Sequence, residues 1–202
     1  MVNLLIMNLR DYQLKYALNE WVENPTPQET IIYQLIDSVA NDGNSSLFRE
    51  DITNIVSGRE PSVGKHGYDH DTLPIEIKPR NFTGKQKLNG GGNFGDFTWK
   101  RHAKYMADEV IVSTSGFYHG KLIFIVELPY TYIKEKIETQ LKKLLPNGDE
   151  VNRYARSCSF SHLDWNDKEF NLVYISPQFE DYKDSMVKGL YKTLKEKSLT
   201  IS

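Results

Sequence analysis

The chain has 202 residues, which suits one domain with a buried core. Its 39% hydrophobic and 26% charged residues are typical of a soluble globular protein, and the formal net charge of −2 excludes a chain that is basic throughout. The single cysteine, Cys158, excludes an internal disulfide and multi-cysteine zinc modules, and it fits the reducing cytoplasm. No apolar run is long enough to predict a membrane span, and Met1 to Arg10 lacks the features of a signal peptide.

The first part of the chain is predicted to be helical. Residues 9–23 form one helix, whose apolar face carries Leu14, Leu18, Trp21 and Val22. A capping box at Thr26 and Glu29, with Pro27 at the first helical position, begins a second helix. Its apolar stripe comprises Ile32, Leu35, Ile36 and Val39. Residues 49–57 are compatible with either a short helix or a strand.

The remainder of the chain mixes strands and helices. Short strands are predicted at 66–71 and 74–80, joined by a tight turn at 71–74, and a polar, glycine-rich loop follows at 81–96. Further elements are a helix at 97–107, strands near 110–112 and 122–126, a helix at 133–144, a strand at 170–176 and a helix at 180–195. This order predicts a single α/β domain with a central mixed β-sheet flanked by helices, including a parallel pair of strands joined through the helix at 97–107.

The predicted hairpin places three chemically active side chains on one face. With the turn centred between residues 72 and 73, Asp69 lies opposite Glu76, and opposed residues of an antiparallel pair share a face. Lys78 follows Glu76 by two residues and projects from the same side, whereas Ile77 points into the core. Asp71 shares the active face and is an alternative to Asp69.

Two neighbouring carboxylates repel each other unless a cation lies between them. A hard divalent cation with oxygen ligands is the natural partner, and Mg²⁺ usually keeps waters that chemistry can use. Such a metal activates water and shields charge developing on a phosphate, while a neighbouring lysine stabilises the transition state or orients the attacking water. Asp69, Glu76 and Lys78 are therefore the candidate catalytic residues.

These residues resemble the motif of the PD-(D/E)xK nuclease superfamily, which includes most type II restriction endonucleases. Asp69 matches the aspartate, and Glu76-Ile77-Lys78 matches the ExK half. The resemblance implies that Asp69, Glu76 and the backbone carbonyl of Ile77 hold Mg²⁺, with Mn²⁺ as a substitute, and that Lys78 serves the nucleophilic water. It also implies a restriction-endonuclease-like fold. Tyr68 stands where the family name has proline, and the seven-residue spacing from Asp69 to Glu76 is short, which keeps Asp71 in consideration.

The next segment is typical of a DNA-binding surface. Between residues 78 and 104 there are seven cations and one acid, Asp96, with aromatic residues interleaved. Lysine and arginine neutralise phosphates, and Arg, Asn and Gln read base edges. The candidate DNA contacts are Arg80, Asn81, Lys85, Gln86, Lys87, Asn89, Asn93, Lys100, Arg101 and Lys104.

Four other patterns are less informative. Gly90 to Gly95 fits G-x-G-x-x-G, but no hydrophobic strand precedes it, so a dinucleotide site is rejected. Glu29 is explained by its capping box, although a helix glutamate sometimes reaches the metal in this superfamily. His66 and His70 lack further zinc ligands. Residues 153–162 are interpreted as a solvated loop or edge strand, with a second recognition segment as the alternative.

These features predict a Mg²⁺-dependent endonuclease that cuts double-stranded DNA at a short specific sequence, in the manner of a type II restriction enzyme. Cutting both strands favours a homodimer on a palindrome. A cognate DNA methyltransferase acting on the same sequence is a possible partner. Two alternatives remain: a structure-specific nuclease for repair or junction resolution, and a non-catalytic DNA-binding protein.

Overall fold

The computed structural model describes residues 8–20, 22–42, 46–60, 68–69, 73–151 and 153–200. The α-helices of this part are α1 (Leu9–Ala17), α2 (Pro27–Asn41), α3 (Ser46–Val56), α4 (Trp99–Ala107), α5 (Lys134–Leu144) and α6 (Lys188–Ser198). The strands are β1 (Ile75–Phe82), β2 (Gly92–Phe97), β3 (Ile111–Tyr118), β4 (Lys121–Pro129), β5 (Ala155–Phe160) and β6 (Asn171–Ile175).

A four-stranded mixed sheet forms the centre of the fold, with the strand order β1-β3-β4-β6. β1 and β3 are parallel, whereas β3–β4 and β4–β6 are antiparallel. The predicted α/β class and the predicted parallel pair around the helix at 97–107 are therefore confirmed. β1 is an edge strand, so one side of its backbone is open to other parts of the chain.

Apolar residues cover both faces of the central sheet. On one face, Ile36 of α2 and Ile52 of α3 belong to a buried cluster with Ile125 of β4. On the other face, Tyr105 of α4 and Ile137 of α5 pack in a second cluster that extends to the β2–β5 pair and α6. Burial on both faces explains why β4 is a nearly continuous apolar run rather than an alternating one.

The second helix has the predicted start and a different buried face. Thr26 accepts a hydrogen bond from the backbone of Glu29, and the Glu29 carboxylate accepts one from the backbone of Thr26, which confirms the capping box. Of the predicted stripe, Ile36 is buried, but Leu35 and Val39 are 64% and 46% exposed. Tyr33 and Ala40 are buried with Ile36 instead, because α1 and α3 pack against that side of α2.

The observed boundaries of α1 and α3 differ from those predicted from the sequence. α1 ends at Ala17, and Asn19 then adopts a positive φ of 60°, which an α-helix does not accommodate. Trp21, which was assigned to the apolar face of this helix, lies outside the described residues. The segment at 49–57, which the sequence left undecided, is the helix α3. Within the described residues, none of the helices combines the length and apolarity needed to cross a membrane.

The hairpin predicted before β1 is only partly described. Residues 66, 67, 70 and 71 lie outside the described part, and Tyr68 and Asp69 are not in a strand. Asp69 nevertheless lies beside β1, because its backbone N–H donates to the carbonyl of Ile75 at 3.0 Å. The predicted strand is thus wrong at residues 68–69, although the predicted neighbourhood of Asp69 is correct.

The glycine-rich loop predicted at 81–96 is largely ordered structure. β1 extends to Phe82, and β2 pairs antiparallel with β5 in a separate two-stranded sheet. Phe94 is buried in the core, and Gly91 and Gly92 are buried as well. Only residues 83–87 form a fully exposed loop. The prediction failed because β5, the pairing partner of β2, begins 58 residues after β2 ends (155 − 97).

Close approach of β2 to β5 requires glycine at position 91. A Cβ added at Gly91 would overlap the backbone carbonyl of Phe160, which cannot rotate away. We expect Gly91→Ala to destabilise the protein by about 3 kcal/mol, the cost of a steric clash within a packed core. The melting temperature would fall by roughly 6 to 12 °C. Gly95→Ala is the matched control, because its Cβ meets nothing within 4 Å, and equal losses in both variants would contradict the steric explanation.

Candidate active site

The centre of the candidate site is a buried carboxylate on β1. Glu76 is 3% exposed and points to the face of the sheet covered by α4, while Ile75 and Ile77 point to the opposite face. Its Oε1 accepts hydrogen bonds from Lys78 Nζ at 2.6 Å and from Arg101 Nη2 at 3.2 Å. Its Oε2 accepts one from the Tyr105 hydroxyl at 2.6 Å. A buried carboxylate needs such partners, so this arrangement satisfies its charge within the protein.

Lys78 projects from the same face of β1 as Glu76, because side chains two residues apart on a strand lie on one side. Its Nζ donates to Glu76 and, at 3.2 Å, to the carbonyl of Ile77. The ammonium also lies 5.4 Å from the ring centroid of Phe94 on β2. The structure therefore brings Glu76, Lys78 and the Ile77 carbonyl together, which is the arrangement expected from the sequence.

Tyr105 and Arg101 reach Glu76 from consecutive turns of α4. Burial raises the pKa of the Tyr105 phenol, and the Glu76 carboxylate adds to that rise, so the hydroxyl stays protonated and donates. Arg101 Nε donates to the Tyr105 hydroxyl at 3.0 Å. Arg101, assigned to DNA from the sequence, thus makes its principal described contacts inside the candidate site.

Asp69 is fixed at the open edge of β1. Its Oδ2 accepts a hydrogen bond from the backbone N–H of Ile77 at 2.6 Å, and its carbonyl accepts one from Asn54 Nδ2 at 3.1 Å. Burial raises the pKa of the Asp69 carboxyl, and the charge of Glu76 raises it further, whereas the Lys78 ammonium opposes the rise. Asp69 therefore lies near Glu76, through a side-chain bond to β1 rather than through a paired strand.

Glu50 on α3 is a site residue that the sequence analysis missed. Burial raises the pKa of its carboxyl, with a further rise from the carboxylate of Asp69 and a smaller one from Glu76, against a lowering by Lys78. The helix glutamate considered from the sequence was Glu29, which caps α2 and also accepts a hydrogen bond from Tyr12. The missed signal was helical spacing, because Glu50 precedes Thr53 and Asn54, which are buried on α3, by three and four residues.

The donor set suits a hard cation. Glu50, Asp69 and Glu76 contribute three carboxylates, against two cationic side chains, Lys78 and Arg101. Burial is the main cause of the raised pKa values of Glu50 and Asp69, and the neighbouring carboxylates add to the rise. Within the described ranges, no three acidic, histidine or cysteine side chains converge as a ready-made metal cage. Mg²⁺ typically uses only one or two carboxylates and retains waters, so the residues fit this ion without such a cage.

Three sequence candidates for metal or phosphate binding fall outside the described residues. These are Asp71, the alternative to Asp69, together with His66 and His70. Asp69 is assigned to the site on its hydrogen bond to Ile77, and Asp71 stays the alternative.

The candidate DNA contacts divide into two groups. Asn81 and Asn89 use their side chains inside the fold: Asn81 bonds to the backbone of Ala40 and Gly120, and Asn89 accepts from the backbone of Gly91. The side chains of these two residues are thus engaged within the fold, which gives them a structural role. The exposed members of the set are Arg80, Lys85, Gln86, Lys87, Asn93, Lys100 and Lys104. Among them, Lys104 is already paired with Asp108 at 2.5 Å.

Comparison with known proteins adds no family assignment. No protein-family model matches the sequence, and no curated protein matches it significantly. The function of the site therefore follows from its own geometry and chemistry.

Proposed function

We propose that this protein is a Mg²⁺-dependent endonuclease with a restriction-endonuclease-like fold. The observation that carries the proposal is the convergence of Glu76, Lys78 and Asp69 on the edge strand β1, with Glu50 added from α3. A chemically plain explanation, a solvated surface hairpin, does not account for a carboxylate that is 97% buried or for the phenol and two cations gathered around it.

Each residue has a role in phosphodiester hydrolysis. Asp69 and Glu76 would hold the metal, with Glu50 and the carbonyl of Ile77 as supporting donors. A bound Mg²⁺ supplies positive charge beside the scissile phosphate and lowers the pKa of water at the site. The Lys78 ammonium stabilises charge that develops on the phosphate and orients the attacking water. Arg101 pairs with Glu76 in the free protein and would turn to the phosphate when a metal takes its place.

We propose double-stranded DNA as the substrate, cut at a short specific sequence by a homodimer. One nuclease centre cuts one strand, and a two-fold axis shared with palindromic DNA supplies the second cut. The support is the basic segment around the site, which keeps five exposed lysines and arginines at 80, 85, 87, 100 and 104.

The direct test is incubation of the protein with phage DNA and Mg²⁺ and mapping of the ends. Discrete fragments with identical termini would support a site-specific endonuclease. Cleavage of branched substrates alone would indicate a structure-specific nuclease instead. An intact DNA population after incubation with either Mg²⁺ or Mn²⁺ would contradict the proposal.

One observation favours a second candidate, a DNA-binding protein that does not cleave. Both oxygens of Glu76 are already engaged by Lys78, Arg101 and Tyr105, so a metal has to displace at least one of them. Titration of Mn²⁺ followed by paramagnetic broadening distinguishes the candidates. Broadening at residues 76–78 supports the nuclease, and its absence with retained DNA binding supports the second candidate.

A prediction about the helix glutamate follows from the geometry. We expect Glu50→Gln to lower the rate of cleavage about 10- to 100-fold, because metal-site residues beyond the principal ligands typically contribute that much. Glu29→Gln, the control, should leave the rate unchanged and change stability by less than about 1 kcal/mol, because glutamine also serves at the third position of a capping box. Single-turnover cleavage and thermal unfolding measure the two effects, and equal rates in both variants would remove Glu50 from the site.

A second prediction concerns the exposed loop at 83–87. Lys87→Ala removes one phosphate contact, so the slope of log K against log salt concentration should become shallower by about 0.9, and affinity in 0.1 M salt should fall about tenfold. Lys142→Ala, on the exposed side of α5, is the control. Fluorescence anisotropy with a labelled duplex gives both quantities, and an unchanged slope for Lys87→Ala would exclude the loop from the interface.

A further inference from the structure

A polar cavity of about 340 Å³ lies beside the candidate active site, between the β2–β5 sheet, the end of β1 and α5. Its walls carry Arg80 from β1, Asn93 from β2, Lys136 from α5, and Ser157 and Ser159 from β5. A volume of this size is that of a small-ligand site. The proposed catalytic chemistry makes no use of it.

Side chains alternate between the two faces of β5, and this places two serine hydroxyls in the wall of the cavity. Cys158 and Phe160 point into the core, so Ser157 and Ser159 face outward on the other side of the strand. Ser157 Oγ donates to Asn93 Oδ1 at 2.5 Å across the two strands. This bond uses the amide oxygen of Asn93, so its two amide N–H donors take no part in it.

The charges of the cavity favour an anion. Neither Arg80 nor Lys136 has a carboxylate within ion-pair distance among the residues that the structure describes. The acid in the lining is Asp164, whose Oδ2 accepts from the backbone N–H of Ser161 at 2.8 Å. A guanidinium, an ammonium, amide N–H groups and hydroxyls around one space are the donors that recognise a phosphate.

The position of the cavity relates it to the candidate active site. Arg80 follows Lys78 by two residues on β1, so the two side chains leave the same face about 7 Å apart. Gly92 lines the cavity and also touches the lysine, because a Cβ at Gly92 would lie 2.5 Å from the Cβ of Lys78. The cavity and the candidate catalytic lysine are therefore neighbours along one strand.

We propose that this cavity binds a phosphate-bearing nucleotide of the nucleic acid strand, adjacent to the nucleotide that is cut. Arg80 and Lys136 hold its phosphate, and Asn93 with Ser157 contacts its sugar and base. That the nucleotide belongs to the strand being cut rests on the proposed nuclease function. That the cavity binds a nucleotide rests only on the residues that line it.

The first test is independent of cleavage. A nucleoside 5′-monophosphate is titrated into the Glu76→Gln protein, and the backbone amide resonances are followed by NMR. We expect shifts concentrated at residues 93 and 157–161, at least tenfold weaker affinity for the unphosphorylated nucleoside, and a similar loss in the Arg80→Gln/Lys136→Gln double variant. Lys142→Gln, outside the cavity, is the matched control. Shifts that are scattered, or that persist in the double variant, would overturn the proposal.

The second test connects the cavity to the substrate strand. Arg80→Gln and Lys136→Gln should each raise the KM for DNA cleavage about tenfold, and should raise KM more than they lower kcat. Active enzyme with an unchanged KM in both variants overturns the inference while the nuclease proposal stands. A protein that cleaves no DNA, yet binds the nucleotide at residues 93 and 157–161, overturns the nuclease proposal and retains the site.

Discussion

Glu76→Gln is expected to abolish DNA cleavage, lowering the rate by about 10³-fold or more, which corresponds to about 4 kcal/mol of transition-state stabilisation. The amide keeps the size of the side chain and can still accept from Tyr105, but it lacks the charge that holds a divalent cation. Affinity for DNA, measured in Ca²⁺ or without metal, should change less than threefold, because phosphate contacts come from other residues.

The control for this experiment is Glu135→Gln, an exposed glutamate in the first turn of α5. Circular dichroism and thermal unfolding of both variants check that the fold is retained, since Glu76→Gln leaves the half-buried Lys78 without its full counter-charge. Cleavage by folded Glu76→Gln protein at the wild-type rate would refute the assignment of the active site.

Lys78→Met is the second change with a large expected effect. The side chain keeps a similar length, but it loses the ammonium that lies over Phe94 and, with it, the cation proposed to act on the scissile phosphate. We expect the single-turnover rate to fall by about 10²- to 10³-fold, the range found when one electrostatic donor to a transition state is removed. Metal binding at Glu76 should persist, because the variant removes a competitor for its Oε1 oxygen.

Lys143→Met on the exposed side of α5 is the matched control. A plot of rate against Mg²⁺ concentration separates the two roles of Lys78. A reduced maximal rate with an unchanged or lower metal requirement fits the proposal. A higher metal requirement with a normal maximal rate would instead mean that Lys78 only organises the ligands.

The central part of the site could be predicted because its geometry is local. Glu76 and Lys78 share a face in any strand through residues 75–82, and the apolar residues between them show which face is buried. The sequence did not reveal that Glu76 itself is buried, because α4 and its Tyr105 cover that face only in the folded chain.

Glu50 could not be assigned for a related reason. Its proximity to Asp69 and Glu76 depends on how α3 packs against β1, a contact between segments about 25 residues apart. The sequence offered Glu29 as a helix glutamate and explained it by its capping box, and the hydrogen bonds of Glu29 agree with that role. Glu50 was not considered, because the local pattern gives no sign of its interaction with the other carboxylates.

The α/β class, the capped start of α2, the parallel pairing of β1 with β3, and the common face of Glu76 and Lys78 could all be predicted from the residues alone. Periodicity, caps and turns act over a few residues, so they can be recognised in the sequence. Folding settles which face of α2 is buried, pairs residues 92–97 with β5, and brings Arg101 and Tyr105 to Glu76 and the charge of Glu50 into its range. Each of these depends on packing between distant segments, where burial and hydrogen bonding across the fold outweigh local preference.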